Sequence, residues 1–320
     1  MKLGILGCSE IAYRRFMPAV KEVEGIEVTA VAEEYDVRKL EPFCREYQLE
    51  GGDSFEELIQ REDINLLYIP QPPALHYKWA KMALLNGKHV LIEKPSSICY
   101  EDSRELVDIA KKNGLALHEN YMFQYHSQIY RIKKMVSEGM VGEIRNIRCS
   151  FGFPLREQND FRYSRQLGGG ALLDAGGYTA KLATLFLSGT IRVDGAVLNM
   201  LSGFEVDMYG SAQFSNDDGM VCQSSFGMDN SYQCSLEIWG NRGRIYTDRI
   251  FTAPENYRPT VYVETTEGKR EIELDADMHF KKSIEEFILQ TKSEQKREKM
   301  YEEILLQARL VDDIRKAGTR

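Results

Sequence analysis

The chain has 320 residues, 43% hydrophobic and 28% charged, which is enough for two domains of ordinary size, each with its own core. A formal net charge of -8 argues against nucleic acid as a partner, because non-specific affinity for a polyanion comes from clustered Lys and Arg. Six scattered cysteines (Cys8, Cys44, Cys99, Cys149, Cys222, Cys234) contain no C-x-x-C pair, so they read as reduced thiols, with neither a disulfide framework nor a metal site.

No stretch approaches the roughly 18 apolar residues needed to span a bilayer, so no membrane partner is expected. The N-terminus goes from Lys2 straight into a strand rather than a leader, and the expected location is cytoplasmic. Residues 2–6 are that first strand. Gly7-Cys8-Ser9-Glu10-Ile11-Ala12 follows and opens a helix running through residues 17–20. Strand, glycine turn and helix in this order form a dinucleotide fingerprint in which Ser9 stands for the middle glycine and Ala12 for the third. Backbone N–H groups at the helix start, around Gly7, Ser9, Glu10 and Ile11, are placed to face a pyrophosphate.

The next buried strand, residues 26–32, ends in Glu33-Glu34. An acid at that point suits hydrogen bonds from the adenosine ribose and repels a 2'-phosphate, which favours NAD over NADP. Two other readings stay open: both glutamates belong to a solvated strand end, or Arg38 or Lys39 reaches a phosphate. Helices near residues 37–47 and 54–62 lead to a strand at 64–69. It runs into Pro70-Gln71-Pro72-Pro73, a rigid turn that continues no sheet. Helical spacing over 76–85 precedes HVLIEKP, a strand whose carboxyl end carries Glu93 and Lys94 and which Pro95 stops. There Lys94 is either a strand-end ion pair with Glu93 or a group facing a ligand. A helix over 102–113 and a strand over 115–118 close the first domain, with Asn120 at its edge. Alternating strands and helices define a doubly wound parallel sheet for residues 1–119.

Residues 120–320 have a different texture. After a helix at 127–138, eight extended segments (144–153, 191–200, 208–214, 221–226, 233–239, 244–247, 260–265 and 270–274) are joined by turns such as Asn216-Asp217-Asp218-Gly219, the pattern of a mainly antiparallel sheet. One long helix interrupts them, beginning at Gly168-Gly169-Gly170. It carries Asp174 and Tyr178 four apart, either as a core pair or as the wall of a ligand site. Amphipathic helices at 279–291 and 300–317 end the chain. His76, His118 and His126 lack ligand spacing, and His76 is placed near a cofactor by following the PQPP turn.

The segments GILGCSEIA, IPQPPALHYKWAKMALLNGKHVLIEKP, HENYMFQYHSQ and GGGALLDAGGYTAKLA resemble the Gfo/Idh/MocA oxidoreductases, and the resemblance spans nearly the whole chain. It implies a Rossmann domain joined to a domain with a large open sheet that packs against further subunits as a homodimer or homotetramer. It also implies hydride transfer between a nicotinamide cofactor and a sugar or polyol. By position, Lys94 matches the family's EKP lysine and Tyr178 the acid/base of its ketoreductase-like members; inositol-dehydrogenase-like members carry histidine there. NDFRYSRQLGGGALLDAGGYTAK and LEIWGNRGRIYTDRIFTAPE are similar to nucleotide-sugar 3-ketoreductases. Those enzymes often have Ser-Arg after the second strand and use NADP, a pattern from which Glu33-Glu34 departs. The resemblance implies a cofactor site around Gly7, Ser9, Glu10, Ile11, Glu33, Pro70, Gln71, His76, Glu93 and Asn120, and a substrate site with Asp174, Tyr163 and His126. A dehydrogenase acting on a free sugar or polyol would use the same residues. A dinucleotide-binding sensor would need neither Lys94 nor Tyr178.

Overall fold

A computed structural model describes residues 1–318. The chain divides into two compact units: Met1–Asn120 with Phe280–Ala308, and Tyr121–His279 with the chain from Arg309 onward. The segment Phe280–Ala308 joins the first unit rather than the second, where the sequence reading had put it. Its apolar faces explain the difference, since Met300, Tyr301 and Ile304 are buried in one cluster with Leu67, Ile92, Leu106 and Leu117.

The first unit is built on strands β1 (Lys2–Leu6), β2 (Glu27–Ala32), β3 (Glu50–Gly52), β4 (Leu66–Ile69), β5 (His89–Glu93) and β6 (Leu117–Asn120). All pair in parallel, in the order β3-β2-β1-β4-β5-β6. Leu3, Ile5, Leu6 and Leu66 to Ile69 have no exposed surface. Covered on both faces, such strands must be apolar throughout, which is why they read as continuous runs and not as alternations. The order reverses between β1 and β4, the position at which open parallel sheets bind ligands beyond their carboxyl ends.

The second unit contains β7 (Ile144–Gly152), β8 (Arg192–Met200), β9 (Asp207–Ser215), β10 (Val221–Gly227), β11 (Gln233–Gly240), β12 (Gly243–Thr247), β13 (Thr260–Thr265) and β14 (Gly268–Glu273). They form one sheet in the order β14-β13-β12-β11-β7-β10-β9-β8, antiparallel except where β10 runs parallel to β7. Side chains alternate along β9 to β11. Met208, Phe214, Cys222, Phe226, Leu236 and Ile238 are buried, whereas Gln213, Gln223 and Trp239 face outward. The helix Gly177–Phe186 lies against β7 and β10 on the buried face.

Phe55 is fully buried and meets Trp79 edge-on, with ring centroids 5.0 Å apart. Phe55→Ala is expected to destabilise the first unit by about 3–5 kcal/mol, seen as a lower urea midpoint with an unchanged slope. A change below about 1 kcal/mol would show that this part of the core repacks.

Candidate active site

The glycine turn leaves β1 at Gly7, which has φ +119° and lies so close to Gln71 Nε2 that any Cβ would overlap it. Only glycine meets both demands at once. Gln71 Nε2 donates to the Leu6 carbonyl at 2.6 Å, clamping the PQPP turn onto the end of β1. Ser9 folds its hydroxyl back to accept from Ala12 N–H at 3.2 Å, and a π-helical turn, Ala12–Phe16, then leads into the helix Met17–Val20. This leaves the first-turn amides of Ser9, Glu10 and Ile11 at a helix N-terminus beside Gly7, a cradle that fits a dinucleotide pyrophosphate.

Glu33 is held by the backbone around it. Its carboxylate is buried and accepts from three backbone amides, Cys8 N at 2.7 Å, Tyr35 N at 2.9 Å and Asp36 N at 3.1 Å. It thereby ties the β1 turn to the loop after β2. Burial, with the Glu33 charge beside it, pushes the Cys8 thiol up to about 12. Arg38 and Lys39, at the same edge, are exposed and pair with Asp36.

At the end of β5, Glu93 is buried and its Oε1 accepts from Tyr68 Oη at 2.8 Å and from Asn120 Nδ2 at 2.7 Å. Burial raises its pKa, and these two hydrogen bonds and the nearby Lys94 charge pull the other way. The polar chain continues inward: Ser283 Oγ donates to Asn120 Oδ1 at 2.7 Å, and His118 bonds Ser283 Oγ at 2.9 Å and Gln290 Oε1 at 3.2 Å. Lys94 follows Glu93, half-buried, and its bond to Pro95 is cis. Beyond it Ser96 N donates to Glu119 Oε1 at 2.7 Å. His76 is enclosed between the carbonyls of Gln71, 2.6 Å from Nε2, and Pro95, 2.7 Å from Nδ1, so it joins the PQPP turn to the EKP turn.

In the second unit the turn at Gly170, with φ +117°, packs on Asp207 so tightly that a Cβ would overlap Oδ1. Asp207 Oδ2 accepts from Leu172 N–H at 2.7 Å, and burial raises the pKa of this carboxyl. The helix opens with a π-helical turn, Leu172–Gly176, and continues as Gly177–Phe186. Asp174 accepts from Arg162 Nε at 2.7 Å, and Arg162 also holds Asp160 at 3.1 Å. Burial works against the Arg162 charge, but the two carboxylates outweigh it and raise its pKa. Tyr178 is buried among Tyr121, Phe123, Phe151 and Phe251, with Oη 3.6 Å from Met122 Sδ. Tyr163 Oη accepts from Arg156 N at 2.7 Å, and its ring meets Phe204. His126, expected at the substrate, spends Nδ1 accepting from Gln128 N at 3.1 Å and so caps the helix Ser127–Ser137.

Seven of the expected cofactor residues, Gly7, Ser9, Glu33, Pro70, Gln71, Glu93 and Asn120, therefore lie at the carboxyl ends of parallel strands, with His76 among them. Tyr68, Ser283, Gln290 and Asp207 carry no local signal in the sequence, because each is defined by a partner distant in the chain. Among the described residues no group of three or more His, Cys, Asp or Glu is placed to hold a metal ion, and no helix is long and apolar enough to cross a membrane.

A dinucleotide-binding parallel sheet followed by a large mainly antiparallel sheet defines a class, and sequence comparison assigns it. Residues 1–121 match the Gfo/Idh/MocA oxidoreductase family model with its NAD-binding Rossmann fold, and residues 129–246 match the family's C-terminal domain. The chain belongs to the Gfo/Idh/MocA oxidoreductases. It is 37% identical over 316 residues, 98% of this chain and 95% of the relative, to dTDP-3,4-didehydro-2,6-dideoxy-alpha-D-glucose 3-reductase of Actinomadura kijaniata. The enzyme of that name from Saccharopolyspora spinosa is 36% identical over 90% of this chain and 86% of its own. A crystal structure of a 3-ketoreductase from Actinomadura kijaniata, in complex with NADP and TDP-benzene, superposes with a TM-score of 0.96 at 36% identity, covering 99% of this chain and 97% of that one.

Burial draws His76 down to about 4, against the two carbonyls, which favour its protonation. An unfolded histidine titrates near 6.5. Its contribution is therefore fully present above about pH 6.5 and is lost as pH falls toward 4, by on the order of 2–3 kcal/mol. Urea unfolding of the wild type and His76→Gln across this range is expected to show a shallower pH dependence in the variant. Identical profiles would mean that His76 does not change its protonation on folding.

Proposed function

We propose that this protein is an NADP-dependent 3-ketoreductase acting on a nucleotide-linked deoxysugar. The observation that carries the reading is the end-to-end similarity to dTDP-keto-sugar 3-reductases, which spans the Rossmann unit and the sheet unit alike. Among the crystal structures of the Actinomadura 3-ketoreductase are variants that replace a lysine and a tyrosine, with the same spacing between them as Lys94 and Tyr178 have here.

When bound, the nicotinamide cofactor supplies the hydride. Tyr178 donates the proton that neutralises the oxygen of the reduced carbonyl. Lys94 supplies a positive charge that stabilises the negative charge developing on the substrate oxygen. Asp174, anchored by Arg162, holds a substrate hydroxyl. Pro70, Gln71, His76, Glu93 and Asn120 fix the strand-end turns that flank the cofactor.

The choice of NADP replaces the preference for NAD that Glu33-Glu34 suggested. With its carboxylate held by three amides, Glu33 is spent inside the turn and offers little repulsion to a 2'-phosphate. Arg38 and Lys39, exposed at the same edge, supply the complementary charge. The outward face of the second sheet, with Val197, Tyr209 and Trp239 about half exposed, is the surface through which the protein forms a homodimer or homotetramer.

Tyr178→Phe is expected to lower kcat by about 10²- to 10⁴-fold with NADPH affinity retained, measured by cofactor oxidation with a dTDP-3-keto-deoxysugar. Near-normal turnover would remove Tyr178 from the proton-transfer role. Fluorescence titration should find NADPH bound at least about tenfold more tightly than NADH, a preference that Arg38→Ala reduces; equal affinities would restore the case for NAD.

A further inference from the structure

Ser283 lies 163 residues beyond Asn120 in the chain, yet its hydroxyl donates to the Asn120 amide. On the helix His279–Lys292, Ser283, Phe287 and Gln290 are spaced four and three apart, share one face and have no exposed surface. That face packs on His118 of β6. The Phe287 ring stands beside the imidazole with centroids 6.0 Å apart, while Ser283 Oγ is 2.9 Å from Nε2 and Gln290 Oε1 is 3.2 Å from Nδ1. His118 and Asn120 are two apart on β6 and so point to the same side of the sheet. Asn120 in turn meets Glu93, its partner in register on β5. Ser283, His118 and Gln290 have no part in the chemistry assigned above.

The hydrogen bonds of this chain can run in one direction only. The Glu93 carboxylate needs donors, so Asn120 turns Nδ2 toward it at 2.7 Å and leaves Oδ1 facing Ser283. Oδ1 only accepts, and the single hydrogen of the Ser283 hydroxyl, 2.7 Å away, is committed to it. Ser283 Oγ then has nothing but lone pairs for His118, so the imidazole proton sits on Nε2. In the neutral ring Nδ1 is therefore an acceptor. The Gln290 amide serves it by presenting Nε2 in place of Oε1, two atoms that exchange positions when the group turns over. Turned so, Gln290 also gives a bond to its Nε2, which has no other partner among the described residues.

The reverse direction fails at one of two places. If Ser283 donated to His118, its oxygen would face Asn120 Oδ1, acceptor against acceptor. If Asn120 turned over to relieve that contact, its oxygen would face the Glu93 carboxylate instead. Either arrangement leaves buried acceptors unpaired, at the full cost of their desolvation.

We infer that Ser283 and His118 are positioning residues: they form a one-way relay, from His118 through Ser283 and Asn120 to Glu93, that holds the strand end from which Lys94 projects in the geometry used for reduction. The kinetic consequence rests on the reductase reading given under the proposed function; the direction of the relay does not.

Two measurements on the full chain test it. Heteronuclear NMR of the protein labelled at its histidine ring nitrogens, with His118 assigned by its absence in His118→Gln, is expected to find the proton of His118 on Nε2. A ring protonated at Nδ1 alone overturns the relay. In steady-state reduction of a dTDP-3-keto-deoxysugar, Ser283→Ala is expected to lower kcat by about tenfold to a hundredfold, the scale of a small misplacement of a reacting group, with the KM for NADPH changed by less than about twofold. Ser283→Thr, which restores a hydroxyl on the same Cβ, is expected to recover most of that loss. A Ser283→Ala protein that is less stable to urea but turns over like the wild type would make Ser283 a purely structural residue and overturn the positioning role. If the wild type reduces no such sugar, the reductase reading fails, and the site of the His118 proton, read in the unmodified protein, still decides the relay.

Discussion

The buried carboxylate of Glu93 is the constraint on which the cofactor end of the first unit depends. It stands at the last residue of β5, directly in register with Asn120 on β6, and accepts from both Asn120 and Tyr68 of β4. Three neighbouring strand ends are thereby held by one side chain. Leaving such an acceptor without its donors costs the full desolvation of the group, so the three strands are fixed together or not at all. Lys94 is the next residue, and the turn it begins is held by Glu119 on Ser96 and by His76 on Pro95. A flexible ammonium on a four-carbon stem gains precision from a root that cannot move.

The second unit solves the same problem with different parts. There the catalytic candidate sits on a helix, and the helix start is fixed by Asp207 on the amide of Leu172 and by Arg162 on Asp174. Both functional helices begin with a tight glycine turn followed by a π-helical turn, Ala12–Phe16 in one unit and Leu172–Gly176 in the other. Such widened turns recur at functional sites, where they re-aim side chains without ending the helix. In each unit a carboxylate from a neighbouring element accepts from a backbone amide at the start of this segment, Glu33 from Cys8 and Asp207 from Leu172.

Much of this was legible in the residues. Continuous apolar runs revealed the doubly buried parallel strands, and alternation revealed the one-faced sheet, because burial on two faces or one dictates those patterns. EKP and GGGALLDxGxY marked the family. What stayed hidden were long-range partnerships. Nothing local says that Glu33 bonds the amide of Cys8, 25 residues earlier in the chain. β3, three residues with two glycines, carries too little side chain to register as a strand. The amphipathic face of the helix His279–Lys292 shows that it packs but not on which unit.

Reduction of a keto group on a nucleotide-linked sugar is the activity proposed for this protein. The most direct measurement supplies NADPH deuterated at the transferable position of C4, together with dTDP-3,4-didehydro-2,6-dideoxyglucose, and follows the label by NMR and mass spectrometry. One deuterium at C3 of the sugar, formed in step with cofactor oxidation, is the predicted result. Retention of all label in the cofactor, with both ligands bound, would contradict the account.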